Sequence, residues 1–245
     1  MLTKVFNDLR LLLTLTAART ETWDSMAIME LFDGVYSIDG RLATRNMARG
    51  ARVYGEDLVE LDGVEYRMWN PYRSKLSAAI LLGLKGFSMR SGSTVLYLGA
   101  ATGTTASHVS DVVGPNGRVY CVELSARNMR ELIRVCESRK NMLPILGDAR
   151  RVDAYADAVG ACDFIYQDVA ARDQASILMA NAGMLKRGGT AYFIIKSQSI
   201  SIAKRPSDVF DDELARLSGT FEVVQRMGLE PFDSMHLFTV LRKTV

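Results

Sequence analysis

The sequence predicts an α/β fold in which a doubly wound, mostly parallel sheet of seven strands follows a small N-terminal β-hairpin domain. Two observations predict it. From residue 94 onward, short apolar segments typical of strands alternate with segments of helical length, which is the pattern of βαβ units. Before residue 70, two Asp-Gly pairs separate alternating segments, which is the pattern of β-hairpins. We therefore divide the chain into an extension at 1–29, a β domain at 30–70 and an α/β domain at 71–245.

The extension carries Lys4 and Arg10 before the apolar run LLLTLTAA, which resembles the core of a short signal peptide. An aspartate before the run, two threonines within it and an arginine directly after it argue against that interpretation. The run is also far shorter than the ~20 apolar residues that span a membrane, so we expect no membrane association. An additional helix, or an upstream-extended reading of a gene whose folded product starts at Met26 or Met29, explains the extension equally well.

The β domain is predicted from two hairpins. The segments VYSIDGRLAT and LVELDGVEYRMW each place an Asp-Gly pair, Asp39-Gly40 or Asp62-Gly63, between alternating residues. Asp-Gly is a preferred pair for two-residue hairpin turns, which need positive φ angles.

The α/β domain opens with a helix after Pro71, because Leu76, Ala79, Ile80 and Leu84 recur at helical spacing. Strands are predicted at 94–98, 118–123, 143–146, 162–167, 189–195, 221–228 and 236–243. Helices are predicted near 104–113, 125–139, 173–186 and 207–218. Since the last two strands have no helix between them, the last strand is predicted to be antiparallel.

Composition excludes several classes of protein. The three cysteines, Cys121, Cys136 and Cys162, lack the spacing of a metal site or a disulfide framework. We therefore expect no metal, and a reducing, cytoplasmic compartment. The net charge is only +2, so the surface as a whole does not attract polyanions strongly. An RNA partner would require clustered cations or a second protein.

The loop in LYLGAATGTTASHV predicts a nucleoside site. Gly99 and Gly103 lie where a strand turns into a helix and permit close approach of a ligand. Glu123 ends the next strand about 20 residues later, where a carboxylate can accept both hydroxyls of a ribose. Asp148 ends the third strand, in reach of an adenine amino group. Alone, each feature also suits a tight turn or a solvated charge, but all three fall at strand ends where open α/β sheets bind ligands.

The loop departs from the GxGxxG pattern of dinucleotide sites, because Ala101 and Thr104 stand where glycines would. Thr104 and Thr105 also crowd the helix N-terminus that a pyrophosphate would occupy. S-adenosylmethionine contains ribose, adenine and a methionine tail but no phosphate, so we predict this cofactor rather than a nicotinamide dinucleotide. The sheet is therefore predicted to be a Rossmann-like methyltransferase domain.

Asp168 and Lys196 end the fourth and fifth strands, which are neighbours in this fold, so they are predicted to meet across one crevice. The carboxylate would orient the ammonium group, and the lysine would remove a hydroxyl proton or stabilise the alkoxide that forms. A lysine at a strand end can equally reach water along its apolar stem. Lys75 and His236 are weaker candidates whose roles the residues alone leave open. The other histidine, His108, is expected to be structural.

Six separated motifs occur in order along the chain: GVYSIDGRLATRN, EYRMWNPYRSKLSAAI, LYLGAATGTTASHVSD, NMLPILGDAR, DFIYQDVAARDQA and IIKSQSI. Together they resemble fibrillarin in its short archaeal form. The resemblance runs from about residue 30 to the C-terminus.

This resemblance implies a ribose 2′-O-methyltransferase that acts on ribosomal RNA and tRNA. It implies a Lys-Asp-Lys-His tetrad at Lys75, Asp168, Lys196 and His236. It implies cofactor contacts at Thr104, Thr105, Glu123, Leu124, Asp148, Ala149, Asp168, Val169, Ala170 and Ala171. The chain departs from the usual family residues at Gln167, Ala171 and Ser234-Met235, which concerns local tuning of the site and leaves the tetrad intact.

The resemblance also implies a guided particle. A box C/D guide RNA would select the nucleotide, a Nop-domain scaffold protein would dock the enzyme, and a kink-turn-binding ribosomal-type protein would complete the assembly. Nothing in the chain resembles a base-reading module. Direct RNA contacts are predicted along a strip of cations: Arg45, Arg49, Arg52, Arg67, Arg73 and Lys75. A solvated face balanced by Glu56, Asp57 and Glu60 explains the first three equally well.

Two other functions stay open. A methyltransferase of this fold could modify a base or a protein carboxylate, although QDVAAR after the fourth strand is not the Asn/Asp-Pro-Pro-aromatic type of loop that often positions a base nitrogen. The chain could instead be an inactive structural component of the particle, although Glu123, Asp168 and Lys196 argue for activity.

Overall fold

The structure, a computed structural model, describes residues 27–245; the signal-like run and the alternative start at Met26 lie outside them. Five strands form a small antiparallel sheet in the order β1-β2-β3-β5-β4. They are β1 (Ile28–Phe32), β2 (Val35–Ile38), β3 (Arg41–Arg45), β4 (Leu58–Leu61) and β5 (Val64–Met68). Asp39-Gly40 and Asp62-Gly63 have positive φ at both residues, so the predicted hairpin turns are confirmed. Strand β1 is missing from the prediction because IMELF does not alternate.

The second sheet has seven strands in the order β11-β12-β10-β9-β6-β7-β8. They are β6 (Thr94–Leu98), β7 (Arg118–Glu123), β8 (Met142–Leu146), β9 (Cys162–Gln167), β10 (Leu185–Lys196), β11 (Phe221–Leu229) and β12 (Asp233–Lys243). Strand β12 is antiparallel to β10 and β11, and the other pairs of this sheet are parallel, so the predicted fold class is confirmed. Strand β10 begins four residues earlier than predicted, because a register shift lets it continue past Gly188-Gly189.

Seven helices connect these strands: α1 (Lys75–Leu81), α2 (Thr104–Val113), α3 (Ala126–Ser138), α4 (Ala156–Val159), α5 (Gln174–Asn181), α6 (Ser197–Ile200) and α7 (Pro206–Ala215). Single 3₁₀ turns occupy Val152–Ala154 and Ala182–Met184. The second of these turns ends the helix earlier than predicted. Within residues 27–245, no helix is both long and apolar enough to cross a bilayer.

The central strands of the large sheet are buried on both faces. Along β6, Val95 and Tyr97 pack into one core with residues of α1, α2 and α3, whereas Leu96 and Leu98 pack into the other with residues of α4, α5 and α7. Within residues 27–245, helices therefore cover both faces of these central strands, and ligands have access at the edges formed by the strand ends.

A buried group of charges joins the small sheet to α2. We call Glu56, Arg67, Asp111 and Arg139 the junction cluster; none of these side chains is more than 1% exposed. Arg67 binds Glu56 at 2.7 Å and Asp111 at 2.8 Å, and Arg139 binds the other Asp111 oxygen at 2.5 Å. The prediction that Arg67 belongs to an RNA-binding strip is therefore wrong, because its guanidinium is buried and bonded to Glu56 and Asp111.

Candidate active site

The loop between β6 and α2 packs closely against the end of β9. Gly99 has a φ of +83°, and a Cβ there would lie 2.9 Å from the carbonyl oxygen of Asp168. Gly103 has a φ of +92°, and a Cβ there would lie 3.0 Å from Leu132 Cδ1. Both positions strongly favour glycine, which brings this loop to the strand ends where a ligand would approach the backbone.

Glu123 ends β7 with a buried carboxylate that the backbone orients. Its Oε2 accepts from the Ala101 N–H at 2.8 Å, and its Oε1 accepts from the Ser125 N–H at 2.7 Å. Ala101 has a φ of +49°, a left-handed conformation that non-glycine residues seldom adopt. Asn128 Nδ2 also donates to Oε1, at 3.5 Å. Because a carboxylate has about four acceptor positions, Oε2 retains capacity for a hydroxyl of a ribose.

Apolar side chains lie beside Glu123. Leu124 directly follows β7 and is 64% exposed, and Leu146 ends the neighbouring strand β8 and is 60% exposed. Exposed leucines at this edge of the sheet suit one face of a flat base. Asp148 follows on the same loop; its Oδ1 accepts from the Arg150 N–H at 3.0 Å, whereas its Oδ2 has only a 3.5 Å contact with Arg150. Sequence reasoning missed Leu146, whose signal is an apolar residue directly before Gly147.

Arg150 links the loop after β8 to the start of α5. Its guanidinium donates to both oxygens of Asp173, at 2.8 and 2.6 Å, and this pairing raises the pKa of Arg150 above its ordinary value. The other predicted cofactor residues surround the same edge: Thr104 half-buried at the start of α2, Thr105 and Ala149 buried, Val169 and Ala171 half-buried, and Ala170 exposed. Thr105 donates to Ser74 Oγ at 3.0 Å, which links α2 to the start of α1.

Asp168 lies between two lysines. Lys75 is the first residue of α1, whose N-terminus Ser74 caps, and its Nζ lies 3.1 Å from Asp168 Oδ2. Lys196 ends β10, and its Nζ lies 2.8 Å from Asp168 Oδ1 and 2.9 Å from the Asp168 carbonyl oxygen. The three side chains are between 16% and 19% exposed. The structure therefore brings Lys75, Asp168 and Lys196 together in one crevice that remains open to solvent.

His236 completes this group together with a residue that sequence reasoning missed. On β12, His236 is the register partner of Lys196 on β10. Its Nδ1 is hydrogen-bonded to Asp233 Oδ1, and Asp233 Oδ2 lies 3.9 Å from Lys75 Nζ. We call Lys75, Asp168, Lys196, Asp233 and His236 the site cluster. The available signal was an aspartate three residues before the histidine.

Gln174 holds the backbone of the site cluster in place through hydrogen bonds, and it was also absent from the prediction. Its Oε1 accepts from the Lys196 N–H at 2.9 Å, and its Nε2 donates to the Ala171 carbonyl at 2.9 Å. Gln167 in turn donates to the Gln174 carbonyl at 2.8 Å. Both glutamines are fully buried, so the departure from the family pattern at Gln167 provides a hydrogen bond within the support of the site.

Two buried aromatic rings lie close to Asp168, at the base of the site cluster. Tyr97 and Tyr166 stack with ring centroids 4.5 Å apart, and both are buried. Burial raises the pKa of both phenols, and the charge of Asp168 raises it further. The phenols therefore stay neutral and leave the charge of Asp168 to the two lysines.

The predicted RNA-binding arginines occupy different surroundings. Arg49 is paired with Glu60 at 2.7 Å, and Arg52 donates to the Glu56 carbonyl at 3.0 Å. Arg45 is exposed at the end of β3. Arg73 is exposed two residues before Lys75, with its guanidinium 5.9 Å from the centre of the Tyr54 ring. Among these four, only Arg73 adjoins a residue of the site cluster in the chain.

The geometry combines two functions at one edge of the sheet. The loops after β6, β7 and β8 offer a ribose acceptor and an apolar base surface, so the residues present fit S-adenosylmethionine. The ends of β9 and β10 and the starts of β12 and α1 together offer two ammonium groups, two carboxylates and an imidazole. Such a set can stabilise an oxyanion and accept a proton.

Comparison with known proteins agrees with this geometry. The fibrillarin family model matches residues 26–244. A Thermococcus gammatolerans protein named fibrillarin-like rRNA/tRNA 2′-O-methyltransferase is 50% identical over 218 residues, covering 86% of this chain and 96% of that protein. A Methanothermobacter thermautotrophicus protein of the same name is 47% identical over 215 residues, covering 87% of this chain and 96% of that protein.

Solved structures give the same result. Aeropyrum pernix fibrillarin with natively bound S-adenosyl-L-methionine is 42% identical with a TM-score of 0.80, covering 89% of this chain and 100% of that chain. A fibrillarin/Nop5p complex contains a chain that is 38% identical with a TM-score of 0.81, covering 88% of this chain and 100% of that chain.

Proposed function

The chain belongs to the fibrillarin family, and on that premise we propose that it is the catalytic subunit of a guide-RNA-directed ribose 2′-O-methyltransferase acting on ribosomal RNA and tRNA. The observation that carries the proposal is Asp168, whose two carboxylate oxygens each hold one lysine ammonium group at the edge of a nucleoside site. Two positioned ammonium groups suit a reaction in which a hydroxyl oxygen gains negative charge.

Glu123 would hold the cofactor ribose, Leu124 and Leu146 the base, and Asp148 the adenine amino group. The glycine loop at 99–103 would allow the cofactor to approach the backbone. Bound S-adenosylmethionine supplies an electrophilic methyl group on a sulfonium. Transfer would form the O–C bond at the ribose, would break the S–C bond with its electron pair left on sulfur, and would free the hydroxyl proton.

The residues of this chain act on the oxygen and on the proton. Lys196 and Lys75 lie where they can donate to the ribose oxygen and stabilise its developing charge. Asp168 orients both ammonium groups, which places the acceptor oxygen without reorganisation during the reaction.

The partners we propose are a box C/D guide RNA, the target RNA, a Nop-domain scaffold protein and a kink-turn-binding ribosomal-type protein. The fibrillarin/Nop5p complex of a relative supports the scaffold protein. The net charge of +2 supports a role for partners in holding RNA. We also propose a cytoplasmic location, which the three buried, unpaired cysteines support.

The test is methyl transfer in a particle assembled from guide RNA, target RNA and the partner proteins. We expect methylation of one ribose at the guided position, detected as resistance of that linkage to alkaline cleavage. Lys196→Ala should lower the rate at least ~100-fold, since it removes an oxyanion donor. The matched control is Lys186→Ala, because Lys186 pairs with Asp163 near the opposite end of β10 and should not affect transfer.

Other outcomes would contradict the proposal. Methyl incorporation without protection from alkali would indicate modification of a base. Full activity of the Lys196→Ala particle would remove the catalytic role of that lysine. Absence of methylation at every guided position would favour an inactive structural component.

A further inference from the structure

We propose that Asp233 is a positioning residue that holds His236 in the tautomer able to accept the proton leaving the ribose 2′-hydroxyl. The inference rests on the proposed function and assigns the proton, which the tetrad of the family resemblance leaves unassigned. The acceptor would be His236 Nε2, and the residue that makes it an acceptor would be Asp233.

The tautomer follows from the hydrogen bond. An ionised carboxylate can only accept, so the bond between Asp233 Oδ1 and His236 Nδ1 requires a proton on Nδ1. The neutral ring then carries its lone pair on Nε2. Within residues 27–245, no protein group forms a hydrogen bond with Nε2. That nitrogen is therefore free to accept from a hydroxyl group.

The start of β12, which carries the pair, is held in an uncommon conformation. Met235 has a φ of +67°, in the left-handed region that side chains other than glycine seldom adopt. Ser197, the residue after Lys196, donates from Oγ to the Met235 carbonyl at 3.0 Å. The chain from 233 to 236 is thereby fastened to the end of β10, which fixes the His236 ring relative to Lys196.

The ring lies on the reacting side of the sheet. Lys196 and His236 are register partners on antiparallel strands, and side chains of partner residues project from the same face. His236 is 25% exposed and Lys196 is 16% exposed, so both open to the same crevice.

The two lysines are poor candidates for the acceptor. Lys196 Nζ lies 2.8 Å from Asp168 Oδ1 and donates to the Asp168 carbonyl oxygen at 2.9 Å, so it is occupied as a donor. Lys75 lies between Asp168 and Asp233, at 3.1 and 3.9 Å. Neither lysine has an equally free lone pair, which leaves His236 as the base of the site cluster.

The charges of the site cluster also favour this assignment. Before reaction, the carboxylates of Asp168 and Asp233 balance the ammonium groups of Lys75 and Lys196. When His236 takes the hydroxyl proton it becomes a cation, and the Asp233 carboxylate bonded to Nδ1 stabilises that charge. The proton therefore passes from the ribose oxygen to Nε2 while the O–C bond forms and the S–C bond breaks.

The experiment compares Asp233→Asn, Asp233→Glu, His236→Gln and the double variant Asp233→Asn/His236→Gln in the assembled particle. Single-turnover methyl transfer is measured from pH 5.5 to 9 at saturating S-adenosylmethionine, with cofactor affinity measured by calorimetry. The matched control is Asp211→Asn, an exposed aspartate that pairs with Arg226 outside the site. General-base catalysis typically contributes about 10²–10⁴-fold, which sets the scale of the loss.

We expect His236→Gln to lower the rate about 100-fold and Asp233→Asn about 10-fold or more, with cofactor affinity within about twofold of the original protein. The shape of the pH–rate profile should change in Asp233→Asn, because the amide no longer fixes the tautomer of the ring. Asp233→Glu should recover part of the rate. The double variant should be no slower than His236→Gln, since Asp233 acts through the ring.

Three results would overturn the inference. The first is an unchanged rate and profile in Asp233→Asn. The second is a loss that is equal at every pH and is not recovered by Asp233→Glu, which indicates structural support alone. The third is additivity of the two substitutions in the double variant. In each case the original particle still methylates the guided ribose, whereas failure of the proposed function would appear as no ribose methylation in the original particle.

Discussion

The junction cluster and the site cluster are both alternating sets of cations and carboxylates, yet they differ in the type of cation, in exposure and in hydrogen bonding. In the junction cluster the cations are arginines, and its side chains are at most 1% exposed. In the site cluster the cations are lysines, and its side chains are 16% to 25% exposed. The first joins the small sheet to α2, and the second is open to solvent.

The hydrogen bonds explain the difference. Asp111 accepts from Thr44, the Met47 N–H, Arg67 and Arg139, so every acceptor position of its carboxylate is used. The planar guanidinium fixes this geometry through several donors, whereas a lysine ammonium is a compact charge on a flexible stem. A saturated arginine network therefore suits a permanent joint, and lysines with histidine suit a site where a proton and a new ligand must be accommodated.

The largest effect on stability is expected for Asp111→Ala. It leaves Arg67 and Arg139 buried together without their shared carboxylate, and breaking a buried pair in this way typically costs about 3–5 kcal/mol. Urea denaturation measures the free energy of unfolding. The control is Asp211→Ala at an exposed pair, where we expect a change below about 1 kcal/mol. A loss of the same small size for Asp111→Ala would contradict the distinction between the clusters.

Asp168→Asn should show the reverse balance of stability and activity. Water reaches the site cluster, so Lys75 and Lys196 stay solvated and the free energy of unfolding should change by roughly 1 kcal/mol. Methyl transfer in the assembled particle should nevertheless fall about 10²–10³-fold, because the amide no longer orients two ammonium groups. The measurements are urea denaturation and single-turnover transfer. A large loss of stability with little loss of rate would indicate that this cluster is structural too.

The two clusters also differ in how far sequence could predict them. Asp168 and Lys196 stand at the ends of apolar strands, and the order of strands in this fold makes them neighbours, so their meeting could be anticipated. Asp233 stands three residues before His236, but this spacing alone does not show that the two side chains meet, which they do beside the left-handed Met235. The prediction for Arg67 is wrong because the alternation in EYRMW does not show which face of β5 is buried. The side chain of Arg67 lies on the face that α2 covers.

The smaller elements follow the same rule. The Asp-Gly hairpins were predictable because local backbone preferences determine them. Gln174 was not, because its side chain joins the end of β10 at Lys196 to the loop at Ala171, which are far apart in the sequence. Leu146 carries a local signal, an apolar residue at a ligand-binding edge, but its exposure of 60% becomes visible only in three dimensions.

Acid should weaken the joint through His108, which lies beside the junction cluster. Its nitrogens bond Thr44 and Tyr54, each at 2.8 Å. Burial, followed by the charges of Arg67 and Arg139, lowers the pKa of His108 well below its ordinary value. Above pH ~6.5 the ring is neutral in both states, whereas below it the unfolded chain binds a proton that the folded protein does not. The free energy of unfolding should therefore decrease as the pH is lowered below ~6.5, by at most about 1.4 kcal/mol per pH unit.

The measurement is the free energy of unfolding between pH 6.5 and 5.5. It is made in a His236→Gln background, which removes the other of the two histidines. Adding His108→Gln should flatten the slope over this interval, whatever its effect on stability at pH 7. An unchanged slope would show that His108 does not respond to acid in this way.

The smallest effect is expected for Arg73→Gln, which tests an arginine in a third kind of surroundings. Arg73 is exposed, no carboxylate within residues 27–245 pairs with it, and it stands two residues before Lys75. Its contact with the Tyr54 ring is worth about 0.5–1 kcal/mol at an exposed site, so the free energy of unfolding should change no more than that.

The second measurement is the salt dependence of RNA affinity. If the free charge of Arg73 meets an RNA phosphate, the slope of log affinity against log salt should become shallower by about one in Arg73→Gln. Arg49→Gln is the matched control, because Glu60 already neutralises Arg49 and the slope should stay the same. Equal slopes for both variants would place Arg73 on a solvated face and confine RNA recognition to the site cluster and the partners.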